Sequence, residues 1–322
     1  MRRRQFLSAA TTGAAVVLAA CGRRPYPGAP QWAQVELPPS DPTYAYNIAC
    51  LQGTAADDVW LGASAYNLHF DGTSWVKVTN RTGRARAWRD VCAVSRTEAW
   101  AVGANGSVAR FDGTAWTEEK LAGVDVDLLH VLAFPGGDVW VTAAGDDIHR
   151  YDGSTWTVLR PQALRGLALH NVWGPSAHDI YFCMSKGDGG LPLLGHFDGR
   201  DFRILSIGSQ PGTIYSVHGT SSRDVWAVGT RAAGSRVGGQ ILHFDGERWT
   251  QIPIPVDESL WTVSASSPSR AWAAGRNGVI LRWDGDQWAL SPTGRTTSIG
   301  AVYAPPTGPI YAAETTHLLR TI

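Results

Sequence analysis

Asp58–Val78, DVWLGASAYNLHFDGTSWVKV, is the stretch that decides the fold. The same phrase returns at Asp224–Ile252 as DVWAVGTRAAGSRVGGQILHFDGERWTQI, and in shorter form along the rest of the chain. Its first aromatic recurs at Trp60, Trp100, Trp140, Tyr181, Trp226, Trp272 and Tyr311, at spacings of 40, 40, 41, 45, 46 and 39 residues. A turn aspartate followed by glycine recurs at Asp71, Asp112, Asp152, Asp198, Asp245 and Asp284. A period near 40 built of short alternating strands predicts propeller blades, because no stretch of the mature chain carries a useful 3.6-residue apolar pattern.

Each unit parses into four strands, A to D from the axis outward. Strand A is the run around Ala49, Val91, Val131, Val172, Val217, Val263 and Val302; strand B is the DVWxxG phrase; strand C ends at the aromatic before Asp-Gly; strand D carries the last Trp. The Asp-Gly pairs predict tight C–D hairpins of the type I′ kind, with glycine supplying the positive φ. The seventh unit has strands A (299–304), B (310–313) and C (317–322) and then ends without a strand D. Residues 31–37, QWAQVEL, have the strand D pattern, with Trp32 in the place of Trp75, Trp116, Trp156, Trp249 and Trp288. The expected fold is therefore all-β, a seven-bladed propeller of four-stranded blades over residues 31–322, its last blade closed by the N-terminal strand.

The 322 residues carry 28 Lys+Arg against 28 Asp+Glu, a balance that excludes the broad basic footprint of a nucleic-acid binder. Residues 1–20 read as an export signal: Arg2, Arg3 and Arg4 precede an uncharged run too short to span a bilayer. The run ends in Leu18-Ala19-Ala20-Cys21-Gly22, which resembles a bacterial lipobox and makes Cys21 the expected lipidation site; Arg3-Arg4-Gln5-Phe6-Leu7 resembles a twin-arginine signal. Residues 21–30 then form a lipidated Pro/Gly linker. The expected location is outside the cytoplasm, lipid-anchored to a bacterial membrane on its periplasmic or cell-surface side. Cys50, Cys92 and Cys183 remain, without metal-type neighbours, and read as small buried thiols; no metal and no other cofactor is expected.

With its [HR]-[FYW]-D-G-x-x-[WF] phrase over residues 31–322, the chain resembles bacterial propellers of the Asp-box and BNR-like group, and more loosely kelch and WD-repeat propellers. It departs from the Asp-box pattern in having Asp and Gly adjacent, as in Phe70-Asp71-Gly72-Thr73-Ser74-Trp75. The resemblance implies the propeller fold and the C–D hairpin position. The arginine triad and tyrosine nucleophile of sialidases in that group match no motif here. The W-x-V-G-x-x-G phrase at Trp100–Gly106, the size and the anchor are also similar to those of lipid-anchored propellers that assist assembly of membrane complexes, which implies a binding role.

Enzyme signatures are absent from the sequence: there is no H-E-x-x-H, no G-x-S-x-G and no phosphate loop. All seven units put His or Arg just before the strand C aromatic position: His69, Arg110, Arg150, His196, His243, Arg282 and Arg320. In five units an acid opens strand B beside it (Asp58, Glu98, Asp138, Asp179, Asp224), so acid–base pairs across strands are expected; Arg270 and Pro309 break the pattern. Cys50 and Cys92 read as one strand A column with Leu132, Trp173, His218, Ser264 and Tyr303, whose larger members could instead reach the central channel.

Function is expected on the face bearing the B–C and D–A connections. Two B–C loops there are expanded, Ser185–Pro192 and Thr230–Gln240, and the D–A connection 79–89 is rich in arginine. The candidate binding residues are Arg81, Arg84, Arg86, Lys186, Asp188, Arg231 and Arg236 on the loops, and Trp173, His218, Trp261 and Tyr303 near the axis. The function expected is a non-catalytic, membrane-tethered envelope lipoprotein that binds an envelope protein or an anionic polymer through this face. The alternative is an exported propeller enzyme, a glycan hydrolase or lyase, with its site at the channel mouth. Of the 15 Trp, eleven occupy the strand B or strand D positions and Trp283 the strand C aromatic position; Trp88, Trp173 and Trp261 remain as candidate ligand-stacking residues.

Overall fold

The computed structural model describes residues 28–40, 47–63, 67–78, 88–186, 190–233 and 236–322. The export signal and Cys21, the residues Arg81, Arg84, Arg86 and Asp188, and the side chain of Arg236 lie outside the described residues. The described chain forms seven four-stranded antiparallel sheets, each ordered A-B-C-D. Blade 1, for example, comprises Ile48–Ala55, Asp58–Ala63, Asn67–Phe70 and Trp75–Val78.

Blade 7 takes its strands A to C from Ala301–Tyr303, Tyr311–Ala313 and Leu318–Thr321, and its strand D is Trp32–Gln34. The register is Trp32 to Thr321 and Gln34 to Leu319, so the two ends of the chain close the ring as the repeat pattern requires. Trp32 packs edge-on to Trp272 at 5.8 Å, and its indole donates to Ser291 Oγ at 3.0 Å.

Apolar alternation along each strand buries one row of side chains against each neighbouring blade. The core is accordingly a ring of clusters at the seams rather than one central mass. The strand B aromatics fill these seams: Trp60, Trp140 and Trp226 have no exposed surface. The three cysteines of the described chain are buried and unpaired.

The C–D turns differ from the expected two-residue hairpin. Phe70 pairs with Trp75 across a four-residue loop, and the same register holds in blades 2 to 6. The reason lies in the aspartate side chain. Asp71 Oδ1 accepts hydrogen bonds from the backbone N–H groups of Thr73 (2.8 Å) and Ser74 (2.9 Å), and the other five aspartates repeat this. Only the glycine has positive φ, +95° at Gly72, whereas a type I′ turn needs it at two positions. These turn amides hold the Asp71 carboxyl below its ordinary range.

All five expected acid–base pairs form: His69–Asp58 (2.6 Å), Arg110–Glu98 (2.9 Å), Arg150–Asp138 (2.6 Å), His196–Asp179 (2.7 Å) and His243–Asp224 (2.7 Å). Each base also lies on the strand B aromatic of its own blade, as in His69 on Trp60 at 4.1 Å and Arg150 over Trp140 at 4.9 Å. In blades 1 and 5 a bulge in strand A adds a threonine, so that Thr54 and Thr220 donate to Asp58 and Asp224. Burial pushes the Asp58 carboxyl up, but the bonds from His69 and Thr54 outweigh it and hold it below its ordinary range.

In blade 6 Arg270 stands where the acid should be and faces Arg282; burial and the like charge lower its pKa. One Arg270 nitrogen donates to Gly308 O at 2.8 Å. Replacing Arg270→Glu removes the like charge and recreates the Glu98–Arg110 arrangement. The expected gain is about 0.5–1 kcal/mol at low salt, read by urea unfolding. A loss of stability would show that the bond to Gly308 outweighs the ion pair.

Candidate functional site

Strand A is the inner edge of every sheet, so its outward N–H groups face the axis without a ladder partner. Side chains from the preceding blade supply the acceptors, in two tiers. In one tier Asp90, Asn171, Ser216 and Thr262 accept from the N–H groups of Val131, Val217, Val263 and Val302 at 3.0–3.4 Å. In the other, Gln52, Cys92, His218 and Ser264 accept from Ala93, Ala133, Ala265 and Ala304 at 2.5–3.3 Å.

These bonds correct the strand A alignment of blade 1. Gln52 lies opposite Trp60, as Cys92 lies opposite Trp100, so Gln52 and not Cys50 belongs to the column of Cys92, Leu132, Trp173, His218, Ser264 and Tyr303. Cys50 is two residues earlier, and Leu51 rather than Ala49 matches Val91. Burial, with a further push from the nearby Asp90 charge, raises the Cys50 thiol well above its ordinary value.

The same column places three of the candidate binding residues, Trp173, His218 and Tyr303, at blade seams and on the wall of a cavity on the axis. Trp173 lies 5.5 Å from His218 and is close-packed over Gly219, where an added Cβ would meet its ring at 2.8 Å. His218 is held by the Ala265 N–H, and burial lowers its pKa to about 4. Tyr303 is buried, its ring lies over Gly53, and its phenol is pushed up by burial and by the Asp58 charge.

Inside the tiers is a cavity of about 230 Å³ on the axis. Its walls include Asp90 and His130, whose Nδ1 stands 3.5 Å from Asp90 Oδ2. Asp90 spends both oxygens on backbone, accepting from Val91 (2.9 Å) and Val131 (3.0 Å). Among the described residues no group of three or more His, Cys, Asp or Glu side chains is placed to hold a metal ion.

At the end of the channel facing the B–C and D–A connections, strand A of blades 1 to 6 carries one extra residue: Ala49, Arg89, Leu129, His170, Tyr215 and Trp261. Bulges of this kind re-aim side chains. Tyr215 and Trp261 line the cavity mouth, and Trp261 is 38% exposed. His170 donates to or accepts from Ser185 Oγ at 2.7 Å and lies 6.3 Å from the Tyr215 ring. Burial lowers its pKa, with His130 adding to the shift. Arg89 is paired with Asp127 at 2.8 Å.

Of the remaining candidate tryptophans, Trp88 is buried against Trp116. Sequence reasoning named Trp261 but missed Tyr215, His170, Asp90 and His130. The signal was present as the residues three and two before each column position, but the blade 1 offset hid it.

The segment 230–240, expected as a loop, is a hairpin arm. Strands Asp224–Ala233 and Arg236–Phe244 pair continuously to Ala233–Arg236. Gly239 N donates to Asp257 O (2.9 Å) and Ala232 N to Pro211 O (2.7 Å), which ties the arm to the neighbouring D–A connections. Arg231 Nε donates to Gly239 O at 3.2 Å within the arm, and Val237 at its side is 66% exposed. Lys186 is exposed at the blade 4 B–C connection. Exposed Val126, Leu191, Val237 and Trp261 all belong to this one face.

Fold and site together define a closed seven-bladed propeller with a bulge-rimmed axial mouth. Among solved structures, the chain is similar to YCF48 bound to D1 peptide, at 17% identity and a TM-score of 0.69, over 97% of this chain and 99% of that one. Streptogramin B lyase gives 13% identity and a TM-score of 0.69 over 90% and 97%. Virginiamycin B lyase from Staphylococcus aureus gives 14% and 0.69 over 91% and 99%. At these identities the likeness establishes the fold. No family model matches the chain, and no curated protein matches it in sequence.

Proposed function

We propose that the chain is an exported, lipid-anchored propeller that binds a protein partner across the B–C/D–A face. The observation that carries this reading is the gathering of Tyr215, Trp261 and Val237 at and beside the axial mouth, on blades 5 and 6. Exposed aromatic and aliphatic side chains on one face of a rigid scaffold fit a protein surface better than an anionic polymer. A structure similar in fold is described as bound to a peptide, which is consistent with this use of a propeller. The anchor rests on Leu18-Ala19-Ala20-Cys21, and Cys21→Ala should release the protein from the membrane fraction.

The test of the binding face is photocrosslinking from positions 261, 237 and, as a control, the rim residue Val158, in the native envelope. A protein adduct at 261 and 237 that is missing at 158 is the expected result. The same adducts from all three positions, or polysaccharide adducts alone, would overturn the reading. The Asp90–His130 contact inside the cavity favours a second reading, an exported enzyme with this pair as its acid and base. In that case His130→Ala would abolish turnover of a small ligand and leave the crosslinks in place.

A further inference from the structure

A cavity of about 630 Å³ lies away from the axis, between blades 2 and 3 beside their C–D turns. This is the end of the blades opposite the candidate mouth. The strand D residue that faces the next blade differs in character at this seam. The third position after each strand D aromatic is Val78, Glu119, Leu159, Leu205, Ile252, Ser291 and Val35 in blades 1 to 7. Five of the seven are aliphatic and pack into the seam with the next blade.

Glu119 is instead exposed, and its Oε1 accepts from Trp156 Nε1 at 2.8 Å. The Trp156 ring lies 6.2 Å from Trp100 and is half-exposed, as are Trp32, Trp75, Phe202 and Trp249 at the same position of their blades. Its counterpart Trp116 is buried, 5.3 Å from Trp60.

The groove has aromatic walls from Trp100, Tyr151 and Trp156. Arg110 lies over Trp100 at 5.4 Å and is neutralised by Glu98. The Glu119 carboxylate has a neutral indole as its hydrogen-bond partner, so its charge is not balanced by that contact. A carboxylate beside aromatic faces attracts a cation that has a planar or apolar stem. The geometry points to a second binding site here, for a protein segment that inserts a basic side chain, arginine above all, against Trp156 and Glu119. This site is independent of the axial mouth.

Binding is read from the indole N–H signals of protein labelled with ¹⁵N-tryptophan, Trp156 being assigned by Trp156→Phe. The probes are N-acetyl-arginine amide, its uncharged counterpart N-acetyl-citrulline amide, and diacetylchitobiose. The arginine probe is expected to shift the Trp156 signal saturably, and the citrulline probe to bind at least about tenfold more weakly. Glu119→Gln, which keeps an acceptor for Trp156, should weaken the arginine probe by a similar factor. Glu119→Val, which removes the carboxylate, should abolish the shift. Equal binding of arginine and citrulline, a shift with the disaccharide alone, or no shift with the arginine probe at millimolar concentration would each overturn the proposal.

Discussion

A chain shortened to begin at Pro38 is expected to lose cooperative folding and to aggregate, because the deletion opens the ring. It leaves the strand Leu318–Thr321 as an exposed edge and removes Val35 and Leu37 from the seam between blades 7 and 1. It also removes ties that run to other blades: Arg295 to Gln34 Oε1 at 2.7 Å, and Trp32 to Ser291 and Trp272. Trp32→Ala alone should cost about 3 kcal/mol, since it empties a large aromatic site and leaves a hydroxyl without its donor. The converse experiment separates closure from the mere presence of the segment. Ile322 N donates to Gln31 O at 3.0 Å, so the two ends already lie side by side. A permuted chain that starts near residue 47 and joins Thr321 to Trp32 through Asp-Gly-Thr-Ser, the turn of blade 1, should fold with at least native stability. Circular dichroism and urea unfolding decide it. Failure of this permutant with a folded shortened chain would show that blade 7 does not depend on its fourth strand.

The repeat made blade number and closure readable because the residues involved recur along the chain: an aromatic at strand B in all seven units, an Asp-Gly at the turn in six, and an acid and a base opposite each other in five. What escaped depends on features outside a single repeat. Ile48-Ala49-Cys50-Leu51 is apolar throughout, so alternation could not choose its register, and only the pairing of Gln52 with Trp60 does. The interblade acceptors Gln52, Asp90, Asn171 and Ser216 look like ordinary polar residues, since the N–H that each one satisfies comes from the next unit. Thr230–Gln240 reads as a loop from its glycines, yet Gly239 packs so close to Glu258 that an added Cβ would lie 2.2 Å from its carbonyl oxygen. The glycines there admit a neighbouring backbone rather than make a free loop. Glu119 was legible in principle, as the one carboxylate in a mostly aliphatic column.

The second large effect is on stability in acid. His218 accepts from the Ala265 N–H at 3.2 Å through Nδ1, so that nitrogen carries no proton in the folded chain. Burial lowers its pKa to about 4, and the Asp224 charge only partly opposes this. An unfolded histidine titrates at about 6.5. As pH falls from about 6.5 to 4 the unfolded chain therefore binds a proton that the folded chain refuses, and up to about 3 kcal/mol of stability is lost. Burial lowers His149 and His170 in the same direction, so they add to the loss. Blade 1 already contains the remedy. Gln52 makes the equivalent bond to Ala93 with an amide oxygen that does not titrate at these pH values. His218→Gln should keep neutral-pH stability within about 1 kcal/mol of native and remove its share of the acid loss. His218→Leu also removes that share but leaves the Ala265 N–H unpaired, and should cost about 1–3 kcal/mol at every pH. Urea unfolding at pH 7 and at pH 4.5, followed by tryptophan fluorescence, distinguishes the three chains. An acid loss of equal size in native and His218→Gln proteins would assign the sensitivity to His149 and His170 instead.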